Sequence, residues 1–320
     1  LGKTGKALDE LFKDAEGVDF NDPAAVTAFF RKYSPARVGD WIDVIRYNSM
    51  LSSPKTFTTN LMSNILAAPE KTLVQGVSSV LDAINSYIRP SKQRSYFAGE
   101  VPAFLRGFFS KDGFSNGYKA FADVMMNRNI EQFSEFSGAI PLTKPGTKSR
   151  VFENFLKFIP KLQDATDRFL SEMLTTGIEN SNKVKAKKIR DLYGKYTAPS
   201  AQQARQEGME LLYRGEMTKD SEGILTNSVG RIAEIIGLLR DNPNPLVKWL
   251  SKFTFPFLQF GTNALKRGIE YNPLLGTINT LTSKEKKIEQ FAKVLIGTAT
   301  TGILAAAVGE DRMTFSEPTS

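Results

Sequence analysis

The chain contains no cysteine and no histidine among its 320 residues. The absence of cysteine excludes disulfides, thiolate nucleophiles and cysteine-ligated zinc or iron–sulfur sites. The absence of histidine excludes Ser-His and Cys-His catalytic arrangements, most zinc catalysis and the usual protein base at neutral pH. What remains for chemistry is carboxylates, lysine, tyrosine, or a hard metal on oxygen ligands.

Patterns typical of strands and of catalytic loops are also missing. No period-two runs joined by Asn-Gly or Asp-Gly turns stand out, and there is no Gly-rich nucleotide loop, nucleophile elbow or carboxylate metal loop. Asp164 and Asp167, three residues apart and flanked by Lys161 and Arg168, have the pattern of ordinary helix-surface ion pairs. We therefore expect this segment to have no catalytic residue, metal or cofactor, and a catalytic domain elsewhere in a longer chain is left open.

Apolar residues recur at helical spacing along most of the chain, which predicts an all-α fold with little or no sheet. The expected architecture is an elongated assembly of several helices, with Pro-broken helices and long helical hairpins. Two stripes follow a strict 3-4 spacing: Val74, Val77, Leu81, Ile84 and Ile88, and then Phe152, Phe155, Ile159, Leu162, Thr166, Phe169 and Met173. We expect both stripes to be packing seams. Pro69 and Pro160 each predict a kink or the start of a new helix.

Proline and glycine suggest how the chain is divided. Residues 137–149, with two prolines and two glycines, form the clearest linker. They separate an N-terminal helical region, 1–136, from a long-helix and basic region, 150–245, and a Phe-rich helix with a C-terminal apolar helix follows at 246–320. A shorter loop is predicted at "SKDGFSNG", residues 110–117.

Positive charge is concentrated in one run. The formal net charge of the chain is +8, and "NKVKAKKIRDLYGK" at 182–195 holds six basic residues against one acid. The candidate phosphate contacts in this run are Lys183, Lys185, Lys187, Lys188 and Arg190. Two interpretations stay open: a solvated helix face, or contact with the phosphates of nucleic acid or of a membrane surface. Tyr193 is the lone aromatic residue of the run, so base stacking is not indicated.

The C-terminal region has an uncharged run of 16 residues, from Val294 to Gly309. This is just short of the roughly 17–25 residues that span a bilayer. Val294, Gly297, Gly302 and Val308 mark the candidate membrane segment, and its small residues would allow close helix approach. A buried core helix is the alternative, and the Phe-rich, Pro-broken stretch before the run favours membrane contact.

Two motifs carry a resemblance to a known family. "WIDVIRYNSMLSSPKTFTTNLMSNIL" begins at residue 41 and "FPFLQFGTNALKRGIEYNPL" begins at residue 255. The motif positions are Trp41, Asn48, Pro54, Asn60 and Asn64 in the first, and Pro256, Thr262 and Asn263 in the second. In this order, and followed by a Gly-Thr-Ala apolar helix, they resemble the large polyvalent proteins of bacteriophages and prophages.

The resemblance implies an internal virion protein that is packaged in the capsid and ejected ahead of the genome. Such a protein would assemble with its own copies and with portal or other ejection proteins into a conduit across the host envelope. It would lie in the virion interior and then in the host cell envelope, in non-specific contact with DNA and with the host membrane. The alternatives are a soluble helical nucleic-acid-binding protein, or a non-catalytic segment of a larger peptidoglycan-degrading phage protein.

Overall fold

The computed structural model describes residues 54–126, 149–213, 222–240 and 258–308, together with 242–244, 247, 250–251 and 254–255. These residues form helices and turns with no strand among them, which confirms the all-α prediction for this part of the chain. In chain order the helices are α1 (Pro54–Ile88), α2 (Glu100–Phe108), α3 (Lys111–Met125), α4 (Ser149–Tyr193), α5 (Ala201–Leu211), α6 (Ile224–Arg240), α7 (Leu258–Tyr271), α8 (Pro273–Thr282) and α9 (Lys287–Val308).

The two longest helices each continue through a proline. Pro69 lies inside the 35 residues of α1, and Pro160 lies inside the 45 residues of α4. A new helix therefore does not start at either proline, and the alternative of a kink stays a prediction. An internal proline costs roughly 3 kcal/mol, and in α1 the packing of Ala67 and Val74 on either side of Pro69 favours one continuous helix.

Helix α3 begins inside the segment predicted as a loop. The Ser110 hydroxyl accepts a hydrogen bond from the backbone N–H of Gly113 at 2.9 Å, so Ser110 caps the start of the helix. A Cβ at Gly117 would lie 2.8 Å from the carbonyl oxygen of Phe169. This glycine therefore permits a close approach of α3 to α4 and does not mark a turn.

Two other helix starts follow their sequence signals. Ser200 and Gln203 form a reciprocal capping box at the start of α5, and a serine followed three residues later by glutamine is the sequence pattern typical of one. The Asn272 side chain accepts hydrogen bonds from the N–H groups of Leu274 and Leu275, both at 3.0 Å, and Pro273 is the first residue of α8.

The chain divides into two compact units. The first comprises Leu1–Leu61 and Ala120–Arg168, and the second comprises Met62–Lys119 and Phe169–Ser320. The second unit contains an apolar core of Ala67, Ala68, Phe104, Phe108, Leu170, Met173, Leu174, Ile178, Ala204 and Leu212. In the same unit α7 packs against α6, α8 and α9. The four regions drawn from the sequence stay a prediction, and nearly all of the 137–149 linker lies outside the described residues.

The two predicted seams fare differently. In α4, Met173 is buried and Phe169 packs edge-on against Phe114, with the ring centroids 6.1 Å apart. In α1 the predicted seam is wrong at its end, because Ile84 is 52% exposed and Ile88 is 69% exposed. The face that α1 buries instead is largely polar and carries Lys71, Gln75, Ser78, Ser79 and Asp82.

Candidate functional site

The polar face of α1 makes buried contacts with two other helices of the second unit. Lys71 forms an ion pair with Glu207 of α5, and the Lys71 side chain is almost fully buried. One turn further along, the amide of Gln75 donates a hydrogen bond of 2.9 Å to the hydroxyl of Ser181 in α4. Helix α1 is therefore held on this side by polar partners whose geometry is directional.

The first turns of α9 carry the next charged residues. Glu289 accepts a hydrogen bond of 3.1 Å from the Tyr96 hydroxyl. Lys293 donates to Glu270 of α7 at 2.9 Å and lies 4.0 Å from Glu289, four residues before it. These contacts join α9 both to α7 and to the segment between α1 and α2.

Glu70, whose side chain is partly buried, links α1 to α7. Glu70 accepts hydrogen bonds from the Arg267 guanidinium at 3.0 Å and from the Tyr271 hydroxyl at 2.6 Å. Arg267 also lies over the Tyr213 ring, 4.4 Å from its centroid, and donates to the Leu211 carbonyl at 3.1 Å. The guanidinium thus combines an ion pair, a cation–π contact and a hydrogen bond to the end of α5. We refer to Glu70, Lys71, Glu207, Arg267, Glu270, Glu289 and Lys293 as the charged network.

The pKa values show which protonation states the charged network favours. Burial alone would raise the pKa of Glu207 and Glu289, but nearby lysines outweigh it: Lys71 acts on Glu207, and Lys286 and Lys71 act on Glu289. Both carboxyl pKa values are lowered. Burial would lower the pKa of Lys71, but the facing Glu207 and Glu289 raise it. Glu207 and Glu289 are therefore held as carboxylates, and Lys71 as an ammonium, at neutral pH.

Asp82 organises the segment that leaves α1. One of its carboxylate oxygens accepts hydrogen bonds from the N–H groups of Ser95 and Tyr96, at 2.5 and 2.8 Å. Burial, followed by the charge of Glu289, raises the pKa of Tyr96, so its hydroxyl keeps its proton and acts as a donor. This segment therefore forms a fixed strap between the end of α1 and the rest of the unit.

The chemistry available to this arrangement is that of a structural network. Each glutamate of the network already accepts a hydrogen bond from a lysine, an arginine or a tyrosine hydroxyl. The four are Glu70, Glu207, Glu270 and Glu289. Within the part of the chain that the structure describes, no group of three or more Asp, Glu, His or Cys residues is placed to hold a metal ion. The contacts described here fix the positions of helices.

The predicted motif residues that the structure describes lie on α1 and α7, and their role stays a prediction. Trp41, Asn48 and Pro256 lie outside the described residues, and Pro54 and Asn60 lie in α1. Asn64 is buried in α1, and the buried Thr262 donates to the Leu258 carbonyl at 2.6 Å within α7. The Asn263 amide donates to the Tyr213 carbonyl at 3.1 Å, which ties α7 to the turn after α5.

The predicted basic residues divide into two groups. Lys183, Lys187, Lys188 and Arg190 are exposed on α4. Lys185 is half-buried, with its Nζ 4.7 Å from the centroid of the Tyr96 ring. Phosphate contact by this set stays a prediction, and Lys185 is the member with a contact inside the fold.

The C-terminal apolar segment changes character along α9. Val294 and Gly297 are buried, and a Cβ at Gly297 would lie 1.8 Å from the carbonyl oxygen of Tyr271. Every residue from 298 to 306, including Gly302, is exposed, and Val308 is the last residue of the helix. Among the described residues, no helix combines the length and the hydropathy required of a membrane span.

Comparison of the chain with protein-family models, curated proteins and solved structures finds no match.

Sequence reasoning missed the charged network, although a signal for it was present. Lys71, Gln75, Ser78 and Asp82 follow a 4-3-4 spacing, as regular as the apolar stripe beside it. A polar stripe of this kind is ordinarily assigned to solvent. Its partners Glu207 and Ser181 lie far away in the sequence, so the spacing alone does not show that the stripe is buried.

Proposed function

We propose that this chain is a structural internal virion protein of a bacteriophage, ejected from the capsid to help build a conduit for the genome across the host envelope. The phage assignment rests on the order of the sequence motifs. The structure supports the structural part of the proposal through its exposed apolar helix faces. Large exposed apolar surfaces mark sites of association with other proteins or with membranes.

The exposed apolar residues of the second unit lie on several helices. They include Leu73, Val80, Ile84 and Ile88 on α1, Ile232, Ile235 and Leu238 on α6, Leu274, Ile278 and Leu281 on α8, and Ile303 and Leu304 on α9. The sets on α1, α6 and α8 recur at helical spacing, so each forms a ridge that a further helix could cover. A subunit of a helical assembly requires such ridges.

The proposal is tested on purified particles of the phage whose genome encodes this chain. Intact particles and particles emptied by triggered ejection are each treated with protease, and the chain is then quantified by mass spectrometry. We expect it to be protected in intact particles and absent from emptied ones. Its absence from intact particles, or its retention after ejection, would contradict the proposal.

Self-association is tested on the purified chain by sedimentation velocity over a range of concentrations. We expect oligomers whose population falls when Ile232, Ile235 and Leu238 are changed together to serine, because these exposed side chains lie on one helix. A chain that stays monomeric at all concentrations would contradict the assembly role.

A further inference from the structure

The ends of α1 and α4 meet at one end of the second unit. The N–H of Arg94 donates a hydrogen bond of 3.0 Å to the Tyr193 hydroxyl, and Lys185 lies over the Tyr96 ring. The segment after α1 therefore runs along the last turns of α4. Gly194 has a φ of 93°, and its N–H donates to the Arg190 carbonyl at 3.0 Å, which ends α4 at this place.

This end of the unit carries exposed positive charge from both segments. Arg89 and Lys92 follow α1, and Arg190 and Lys195 belong to the end of α4 and the turn after it; all are exposed. Among the residues that the structure describes, none of these side chains forms an ion pair with a carboxylate. Asp191 is the acid within this stretch of α4.

The same end also exposes large apolar side chains beside the cations. Tyr87 is 89% exposed, Ile88 is 69% exposed and Leu192 is 58% exposed. We call Tyr87, Ile88, Arg89, Lys92, Arg190, Leu192 and Lys195 the basic tip.

The aliphatic residues distinguish between the anionic partners that the charge would fit. Nucleic acid binds cations through its phosphates and stacks its bases on aromatic rings, so exposed Ile88 and Leu192 would gain little from it. An anionic bilayer surface favours both kinds of group, since basic residues contact lipid phosphates while aliphatic and tyrosine side chains enter the headgroup boundary. The Tyr193 hydroxyl already accepts a hydrogen bond within the fold, and Tyr87 is the more exposed of the two tyrosines, with its ring largely in solvent.

We propose that the basic tip docks on an anionic lipid surface. Tyr87, Ile88 and Leu192 enter the headgroup region, and the four cations beside them contact lipid phosphates. The inference stands on the tip itself, independently of the phage assignment, and its residues are distinct from the C-terminal apolar run.

The test is co-sedimentation of the full chain with vesicles of phosphatidylglycerol and phosphatidylcholine in equal parts, and with vesicles of phosphatidylcholine alone. The charge variant carries Arg89→Gln, Lys92→Gln, Arg190→Gln and Lys195→Gln. Its matched control neutralises four other exposed cations, Arg106→Gln, Lys111→Gln, Lys119→Gln and Lys284→Gln. The apolar variant carries Tyr87→Ser, Ile88→Ser and Leu192→Ser, and its control carries Tyr118→Ser, Ile224→Ser and Leu265→Ser, which are also exposed. Circular dichroism verifies that each variant is folded.

We expect the wild-type chain to prefer the anionic vesicles. Each basic residue near such a surface contributes about 1 kcal/mol, so the charge variant should bind at least about 100-fold more weakly. The charge control should lose much less. The apolar variant should lose the part of the binding that persists at raised salt, because only the charge contribution is screened.

Three outcomes would overturn the proposal. The first is an apolar variant that binds vesicles as tightly as the wild type at raised salt. The second is displacement of the chain from vesicles by inorganic phosphate, or tighter binding to duplex DNA than to vesicles, with the charge variant lowering only that binding. The third is loss of vesicle binding on removal of residues 298–308 together with no effect of the tip variants, which would leave the proposed virion role intact.

Discussion

Helices α1 and α4 present the same kind of pattern in the sequence but differ in how far the fold covers it. Both carry an apolar stripe with 3-4 spacing. In α4, Met173 of the stripe lies in the core with the neighbouring Leu174 and Ile178, although the same helix also buries polar side chains such as Asp164 and Asp167. In α1 much of the apolar side faces outward, while Lys71 and Asp82 are buried. An apolar stripe shows that one face of a helix favours burial. It does not show whether that face is buried within the same chain or by another molecule.

The difference has a consequence for stability and for specificity. Apolar packing tolerates small shifts, whereas an ion pair between buried side chains needs a fixed geometry and is costly to leave half-made. The α1 interface therefore restricts the position of its helix strongly, even where its net contribution to the free energy of unfolding is small. Substitutions in α1 and in α4 measure the two interfaces separately.

Breaking the ion pair of α1 should have the largest effect. Glu207→Ala leaves the Lys71 ammonium buried without its partner, and we expect a loss of about 3–5 kcal/mol in the free energy of unfolding, measured by urea denaturation. The double variant Lys71→Met with Glu207→Leu should recover most of this loss, because it removes the charge and keeps the volume. If the double variant is as unstable as Glu207→Ala, the cost is not that of an isolated charge.

Truncating the apolar interface of α4 should cost somewhat less. Leu174 is 1% exposed, and Leu174→Ala should lower the free energy of unfolding by about 3 kcal/mol through lost burial and a residual cavity. The matched control is Leu192→Ala on the same helix, where the side chain is 58% exposed and the expected change is within about 0.5 kcal/mol. Equal losses for the two variants would contradict the placement of the core.

Acid should weaken the α1 interface selectively. The pKa values of Glu207 and Glu289 are lowered from 4.5, so their contribution is present above that value and is lost as the pH falls through the lower folded values. The pKa values of Lys71 and Lys293 are raised from 10.5, so their contribution is present below that value and is lost as the pH rises through the higher folded values. We expect the urea midpoint to be nearly constant between about pH 5.5 and 9.5 and to fall below about pH 4. The Lys71→Met, Glu207→Leu variant should show a shallower acid decline, and a wild-type transition near neutral pH would contradict this account.

Changing the exposed stripe of α1 should have the smallest effect. Ile84→Gln should alter the free energy of unfolding by no more than about 0.5 kcal/mol, because the side chain faces outward. Thermal or urea denaturation of this variant decides between the two faces of the helix. A loss of several times that size would show that the Ile84 side chain is packed, as the apolar seam predicted from the sequence requires.

The sequence reveals those features of the fold that depend on neighbouring residues. Helical periodicity predicts the all-α class, and the capping box of Ser200 and Gln203 is visible in the sequence because it acts within three residues. The loop predicted around Gly113 and Gly117 is wrong because glycine has two uses, turns and close approach, and only the partner helix distinguishes them. The charged network could not be predicted, since the pairing of Lys71 with Glu207 depends on where distant helices come to lie.

The contact of Gly297 with the Tyr271 carbonyl has a consequence for how α9 accepts substitution. No side chain fits at this position without moving α7 or α9, whereas the exposed positions just after it meet no such obstacle. A saturation scan along α9 should therefore show an abrupt step at residue 297. Before residue 297, the packing of this chain restricts which substitutions are tolerated. After residue 297, the tolerated substitutions would reflect the contacts that the helix makes with other molecules.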